Sequence, residues 1–290
     1  MDKKLYLECY AGISGDMTVA ALLDLGADLE VCERAVKSLP LQGFEIVVSR
    51  VKKSGVDACD FNVVLDEKHE NHDHDMEYLH GHEHNHEHES GRDHEHEHSH
   101  DHSHEHDHSH EHAHVHAHEH RGMKEITEII QQGDLTEKAR ALAFKIFGIL
   151  AEAEAKAHCV PADQVHFHEV GAVDSIVDIV AAAVCLDNLG ISEVIITEMC
   201  EGRGTVRCQH GILPIPVPAV SNILQAHHLP VHVMDVDGEF ITPTGAAIAA
   251  AVWTSDKLPE RFSIQKIGIG AGKRNYERPS MVRAMLIEAM

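Results

Sequence analysis

Apolar residues in the first 66 positions fall into short segments with two different spacings. Residues 4–10, 44–51 and 58–65 are rich in the aliphatic and aromatic side chains that favour strands, and a Lys-Lys-Ser-Gly sequence separates the last two. Residues 17–25 and 29–38 have the spacing of short helices, which a glycine and a proline end. The pattern predicts a strand, two helices and a β-hairpin.

The same two kinds of segment return after residue 121. Apolar positions at helical spacing predict helices over residues 123–132, 136–158, 173–189, 218–226 and 242–253. Aliphatic runs predict strands over residues 193–197, 263–269 and 281–287, a strand or loop at 165–169, and extended chain at 213–217. Strands and helices are interspersed throughout, so we predict an α/β or α+β fold in which helices pack on a mixed sheet.

A segment with neither pattern interrupts these elements. Residues 69–120 contain 22 histidines and almost no apolar side chains. Such a segment cannot bury enough surface to offset the entropy of ordering it, so we predict that it is disordered. We therefore expect one α/β domain in two parts, residues 1–68 and 121–290, with the histidine-rich tract of residues 69–120 as an insertion.

Most of the charge lies in the same tract. The formal net charge of the chain is −24, and residues 69–120 hold 15 acidic residues against one arginine. An acidic segment repels phosphates and attracts cations, so we predict no nucleic-acid partner. No segment approaches the ~18 apolar residues that a membrane span needs, so we expect no membrane partner either.

Cysteine usage and the N-terminal residues indicate the compartment. The seven cysteines are scattered and include no Cys-x-x-Cys pair, which is typical of reduced thiols rather than of a disulfide framework. The apolar run near the N-terminus is short and is interrupted by Glu8, unlike a signal peptide. We expect a cytoplasmic protein.

The histidine-rich tract has the composition of a metal-binding segment. Imidazole suits nickel, zinc and copper, and the alternating carboxylates can complete the coordination of several ions. A flexible tract imposes no geometry, so we expect an unselective reservoir of high capacity; the alternative is a solvated linker without a metal role. The candidate ligands are His82, His84, His86, His88, His94, His96, His98, His100, His102, His104, His106, His108, His110, His112, His114, His116, His118 and His120.

The loop between the first strand and the first helix is a candidate anion site. Ser14 can cap the helix, and Gly15 lets backbone N–H groups approach a ligand at the positive end of that helix. Asp16 can instead bind a metal ion that accompanies a phosphate. The alternative is an ordinary helix cap with a tight turn.

Two later segments share these properties. Thr242, Thr244 and Gly245 open a predicted helix and form a second candidate anion site. Lys273 and Arg274 end a glycine-rich turn after a strand and can contact a phosphate, although a plain turn is equally compatible with the pattern. A weaker group of soft and basic side chains suits a soft metal or an anionic substrate: Cys200, Arg203, Arg207, Cys208 and His210.

Residues 166–178 bring five ionisable groups into thirteen positions. His166 and His168 point the same way in extended chain, and Glu169 follows them. Asp174 and Asp178 lie four residues apart at a helix start, so they share one face. This convergence predicts metal or acid–base chemistry, against the alternative of a polar turn and helix-start charges.

Several motifs together resemble the LarC family, the nickel insertion proteins for pyridinium-3,5-bisthiocarboxylic acid mononucleotide. The most specific is His-Phe-His-Glu-Val-Gly-Ala-Val-Asp-Ser-Ile-Val-Asp at residues 166–178. Ala-Gly-Ile-Ser-Gly-Asp-Met at 11–17 precedes it, and Pro-Ile-Pro-Val-Pro-Ala at 214–219, Thr-Pro-Thr-Gly-Ala-Ala at 242–247 and Gly-Ile-Gly-Ala-Gly at 268–272 follow. The resemblance covers nearly the whole chain outside the tract, and a histidine-rich insertion also occurs in that family.

The resemblance implies a lyase-class enzyme. Members place Ni²⁺ between two thiocarboxylate sulfurs and a pyridinium carbon, giving the nickel-pincer cofactor of lactate racemase. They hydrolyse CTP to CMP and diphosphate with Mg²⁺ or Mn²⁺. Family members continue into a C-terminal half associated with CTP, so we expect that half as a partner of this chain, as a separate subunit or frameshift product; a homo-oligomer remains open.

The resemblance also implies roles for the candidate site residues. His166, His168 and Glu169 would receive nickel or assist removal of the ring C–H proton, with Asp174 and Asp16 as further catalytic candidates. The two helix-start loops would hold the phosphate or carboxylates of the substrate. Two other functions remain open: a non-enzymatic nickel store or chaperone, and a metal-dependent hydrolase that uses the His-x-His pair.

Overall fold

The structure of the protein is a computed structural model, and it describes residues 3–66, 121–167, 171–208 and 210–290. The predicted histidine-rich tract lies outside the described residues, as do two of the candidate catalytic residues, His168 and Glu169. Of His166 the place of the backbone is described, but not the side chain.

Strands and helices are interspersed along the described chain, as predicted. The strands are β1 (Lys3–Ala11), β2 (Phe44–Lys53), β3 (Val56–Leu65), β4 (Arg121–Gly122), β5 (His166–Phe167), β6 (Ile191–Ile195), β7 (Met199–Arg203), β8 (Thr205–Cys208), β9 (Gly211–Pro214), β10 (Val231–Asp237), β11 (Phe262–Ala271) and β12 (Met281–Ala289). The helices are α1 (Gly15–Leu25), α2 (Leu29–Lys37), α3 (Met123–Gln132), α4 (Glu137–His158), α5 (Val173–Leu189), α6 (Pro218–His227) and α7 (Pro243–Val252).

One large mixed sheet organises the fold. Its strand order is β10-β7-β1-β12-β11-β3-β2, and β6 also pairs with β1. β1 runs antiparallel to β12 but parallel to β6 and β7, and β2 and β3 form the predicted antiparallel hairpin. The remaining strands form two small antiparallel pairs, β4 with β5 and β8 with β9. The prediction of a mixed sheet is confirmed.

The helices form the hydrophobic core together with one face of this sheet. α1 lies on β11, β3 and β12, while α5 packs against α1, α2 and α4. Leu5, Leu7 and Cys9 of β1 belong to this core, whereas Tyr6, between them, belongs to a separate small cluster. Successive side chains of a strand point to opposite faces, so the alternation places the main core on one face of β1.

Two glycines bring α1 unusually close to the sheet. A Cβ atom on Gly270 would lie 2.0 Å from the carbonyl oxygen of Met17, and one on Gly268 would lie 2.2 Å from that of Ala21. The close approach fixes the start of α1 at the edge of the sheet where β1 and β11 end, and the candidate site lies there.

Three further findings bear on the predicted compartment of the protein and on the extended chain predicted at residues 213–217. All seven cysteines have free thiols. Of the helices in the described segments, none combines the length and apolar character that a bilayer span requires. The extended chain predicted at residues 213–217 contributes its first two residues to β9, which pairs with β8 and not with the large sheet.

Candidate functional site

Two helix starts meet at one edge of the large sheet. The backbone N–H of Ile13, before α1, donates to the carbonyl oxygen of Phe240 at 2.9 Å, and the N–H of Thr242, before α7, donates to that of Ile13 at 3.1 Å. A Cβ atom on Gly245 would lie 2.1 Å from the Ile13 carbonyl oxygen. Only glycine therefore permits the start of α7 to lie directly against the loop before α1.

Both helices are capped by hydroxyl side chains, and Ser14 was predicted as such a cap. The Ser14 hydroxyl accepts the N–H of Met17 at 3.4 Å and hydrogen-bonds to the Asp16 carboxylate, which accepts the same N–H at 2.8 Å. The Thr242 hydroxyl accepts the N–H of Gly245 at 3.2 Å. The caps satisfy these N–H groups, so a bound anion has to use the remaining N–H groups or side chains of the two helix starts.

Three aspartates converge beside these caps, and we call Asp16, Asp174 and Asp178 the aspartate cluster. Gly15 lies so near Asp178 that a Cβ atom on it would be 2.6 Å from the Asp178 Oδ2 atom. The Asp16 backbone N–H donates to the Asp178 carboxylate, and Asp174 occupies the first turn of α5. The chain thus brings carboxylates from α1 and α5 to one place.

The environment of the aspartate cluster favours a bound proton. Burial, followed by the nearby charges of Asp16 and Asp174, raises the pKa of Asp178 well above its usual range, and Lys273 only partly opposes the shift. A raised pKa increases the affinity of a carboxyl group for a proton, a property on which a general acid or base depends.

The two predicted cations of the glycine-rich turn already have carboxylate partners. The Lys273 ammonium contacts Asp60 Oδ1 at 2.5 Å, and the Arg274 guanidinium pairs with Glu239 in a largely buried contact. Both cations line a pocket together with Ser14, Asp16 and Thr242. An anionic substrate would therefore share each cation with a resident carboxylate.

A buried glutamate supports the segment that carries Glu239 and Thr242. Glu201 of β7 is fully buried, and its Oε1 atom accepts the N–H groups of Gly202, Phe240 and Ile241 at 2.8, 2.7 and 3.2 Å. Among the described residues, none provides a hydrogen-bond partner for the Oε2 atom. Burial raises the pKa of Glu201 to about 7 in spite of the three donors.

The structure brings nine of the predicted site residues together, whereas the tract histidines, His168 and Glu169 lie outside the described residues. The residues around the two helix starts are Ser14, Gly15, Asp16, Asp174, Thr242, Thr244, Gly245, Lys273 and Arg274. His166 lies in β5, where it is the register partner of Gly122 in β4. In the part of the chain that the structure describes, no group of three or more His, Cys, Asp or Glu residues is arranged to hold a metal ion.

Some residues of the site had no signal in the sequence. Asp178 stands out by its spacing from Asp174, but Asp60 and Glu201 lie within strands and Glu239 in a loop without any motif. A charged residue inside an apolar strand is a hint of a buried carboxylate, yet only the fold shows which partner it meets.

Fold and site define a mixed α/β protein with a carboxylate-rich cleft between two capped helix starts. A family model described as "Nickel insertion protein" matches residues 5–290. The chain belongs to this family of nickel insertion proteins.

Curated relatives agree with this assignment. The chain is 50% identical over 289 residues to the pyridinium-3,5-bisthiocarboxylic acid mononucleotide nickel insertion protein of Alkaliphilus metalliredigens, covering 99% of this chain and 61% of that protein. Proteins of the same name from Acetivibrio thermocellus and Staphylococcus epidermidis are 36% and 34% identical, over 97% and 100% of this chain and 60% of each relative. The chain thus spans about three fifths of their length. No solved structure matches it.

Proposed function

We propose that this chain inserts nickel into pyridinium-3,5-bisthiocarboxylic acid mononucleotide, the substrate that the names of its relatives state. The observation that carries the proposal is the aspartate cluster beside two helix starts, in a chain that matches the nickel insertion family over nearly its whole length. The site combines proton-accepting carboxylates with features suited to an anionic mononucleotide.

Binding of the mononucleotide would use the two helix starts. The positive ends of α1 and α7 favour anions, and Lys273 and Arg274 line the pocket between them. Asp60 and Glu239 keep these two cations in place and moderate their charge. Neither cation is therefore left uncompensated when the site is empty. When the substrate binds, its phosphate or a thiocarboxylate would dock against cations that are already in place.

Formation of a nickel–carbon bond releases the proton of the ring carbon, so the reaction needs a base. Asp178 suits this role because burial and its carboxylate neighbours raise its pKa, which increases its affinity for a proton. The negative charges of Asp16 and Asp174 would help to keep the pKa of Asp178 raised. His166, His168 and Glu169 would receive nickel before its transfer, since imidazole and carboxylate are ligands that nickel accepts.

We also propose that the reaction is of the lyase class and depends on CTP with Mg²⁺ or Mn²⁺, bound largely by the portion of the relatives that this chain does not span. The histidine-rich tract would act as a nickel reservoir in the cytoplasm. A store or chaperone without insertion activity is the alternative function, and the composition of the tract favours it.

Reconstitution tests the proposal. The purified chain would be combined with the remaining portion of a relative, Ni²⁺, the bisthiocarboxylate mononucleotide, CTP and Mg²⁺ or Mn²⁺, and the product identified by its mass. We expect the nickel-containing mononucleotide in the complete mixture and none without CTP. A store would bind nickel without transferring it, and a hydrolase would release a cleavage product without CTP; either result would contradict the proposal.

A further inference from the structure

A third cation lies beside the pocket between the two helix starts. Lys53 is the last residue of β2, and its Nζ atom donates to the side-chain oxygen of Asn275 at 2.9 Å and to the carbonyl oxygen of Arg274 at 3.4 Å. These contacts connect the β2–β3 hairpin to the turn that carries Lys273 and Arg274. Lys53 therefore belongs to the same group of basic side chains as the two pocket cations.

Lys53 differs from the two pocket cations in its partners. Lys273 and Arg274 each form an ion pair with a carboxylate, whereas both partners of Lys53 among the described residues are neutral oxygen atoms. A lysine ammonium has three N–H donors, so these two contacts leave one donor for a ligand. Lys53 can therefore offer an anion a positive charge that it does not share with its own carboxylate.

The surroundings of Lys53 penalise its positive charge. Its side chain is half-buried, and burial lowers the pKa of Lys53, as does the nearby charge of Lys273, while Asp60 and Asp16 oppose the shift. A bound anion favours the charged form of such a group and is itself stabilised by it. The carboxylates around the pocket would repel a phosphate, and a cation without its own ion pair offsets that repulsion.

The position of Lys53 is compatible with Asp178 as the base. The charge of Asp16 acts on both Lys53 and Asp178, so both groups lie near this residue of the pocket wall. A mononucleotide whose phosphate contacts Lys53 can therefore extend past Asp16 and bring its ring to the aspartate cluster.

We propose that Lys53 binds the phosphate group of the mononucleotide and so distinguishes it from the nucleoside that lacks the phosphate. The inference rests on the proposed function and adds to it a binding residue from β2, which the sequence indicated only as part of a hairpin turn. The preceding residue, Lys52, provides a matched control. It is exposed, pairs in register with Asp57 and points to the opposite face of the strand.

The first test measures the preference of the whole chain for a phosphate. Binding of nicotinic acid mononucleotide and of nicotinic acid riboside, which has the same ring and ribose, would be compared by calorimetry. Wild type should bind the mononucleotide more tightly. Lys53→Gln should reduce this preference at least about tenfold, because a charge-assisted hydrogen bond is lost, and Lys52→Gln should keep it within about twofold of wild type.

Two further variants separate the charge of Lys53 from its support of the turn. Lys53→Arg keeps a positive charge and should retain the phosphate preference within about threefold. Asn275→Ala removes the 2.9 Å hydrogen bond but keeps the ammonium, and it should also retain the preference. A loss in Asn275→Ala as large as that in Lys53→Gln would show that Lys53 only supports the turn, and it would overturn the inference.

Other outcomes decide between the inference and the proposed function. Failure of wild type to prefer the mononucleotide, or an unchanged preference in Lys53→Gln, would overturn the inference. A preference that Lys53→Gln removes, in a chain that inserts no nickel on reconstitution, would refute the proposed function alone. Insertion by Lys53→Gln with an unchanged KM for the mononucleotide would refute the role of Lys53 alone.

Discussion

Burial sets the protonation of the carboxyl groups around the two helix starts. Asp178 and Glu201 lie on different elements, yet both have a raised pKa because water is replaced by protein and by other carboxylates. Glu201 stabilises the backbone before α7, and Asp178 lies against Gly15 at the start of α1. Each carboxyl group therefore contributes a contact to the fold of the cleft, and its raised pKa also determines when it holds a proton.

Glu201→Gln tests the raised pKa through stability. The folded protein keeps the Glu201 proton up to a pKa of about 7, whereas the unfolded chain releases it near 4.5. Folding therefore loses stability as the pH rises through this window, by about 3 kcal/mol in total. Urea unfolding at pH 5 and pH 8 should show this loss for wild type relative to Glu201→Gln, and parallel pH profiles would contradict the raised pKa.

The histidines of the 166–178 motif are tested through activity. His166→Ala with His168→Ala should abolish nickel insertion, since both imidazoles are proposed to receive the ion. His232→Ala, at an exposed position of β10, is the control for losing an imidazole elsewhere. Product yield would be followed by mass spectrometry in the reconstituted mixture, and an unchanged yield from the double variant would remove both histidines from the mechanism.

The contacts of individual side chains in the cleft could be predicted only in part from the sequence. The motifs around Ser14, Asp16 and Thr242 identified the two helix starts because capping follows local rules. The pairing of Lys273 with Asp60 joins residues 213 positions apart, so no local pattern could reveal it. The same limit applies to Glu201, whose three N–H donors include two from a distant loop.

At the scale of elements, glycine packing between α1 and β11 positions the cleft. Most helices and the long strands were predicted with errors of one or two residues at their ends, because their apolar periodicity is strong. β7, β8 and β10 were not predicted. Their sequences mix polar or charged residues with apolar ones, and pairing with neighbouring strands determines their conformation.

Gly270→Ala tests this packing. Its Cβ atom would lie 2.0 Å from the Met17 carbonyl oxygen, so α1 has to move, and we expect a loss of about 1–3 kcal/mol in the free energy of unfolding. Gly148→Ala on α4 is the control, because no atom lies within 4 Å of its added Cβ and helix propensity predicts a gain of up to about 1 kcal/mol. Urea unfolding measures both, and equal effects of the two variants would contradict the packing account.

At the scale of the whole molecule, a histidine-rich tract interrupts a chain that matches the nickel insertion family on both sides of it. The family model spans residues 5–290, and the described residues on either side of the tract form one sheet. In the proposed function, the tract would act through the local nickel concentration, and the cleft would perform the chemistry. The sequence predicted one α/β domain in two parts, but not the strand order by which both parts form one sheet.

Deletion of residues 69–120 tests this division. The variant should need a higher nickel concentration for half-maximal insertion but should reach the wild-type rate at saturating nickel, because the cleft is intact. The rate would be measured across a nickel titration in the reconstituted mixture. Complete loss of insertion at every nickel concentration would favour the store or chaperone function instead.

The rate of nickel insertion by Asp178→Asn at saturating nickel is the most direct test of the proposed chemistry. Asp163→Asn, an exposed position outside the cleft, matches the change in charge. Because the base is lost in the first variant only, we predict a fall of at least about 100-fold for Asp178→Asn and a rate near wild type for Asp163→Asn. A rate for Asp178→Asn within twofold of wild type would contradict the assignment of proton removal to the aspartate cluster.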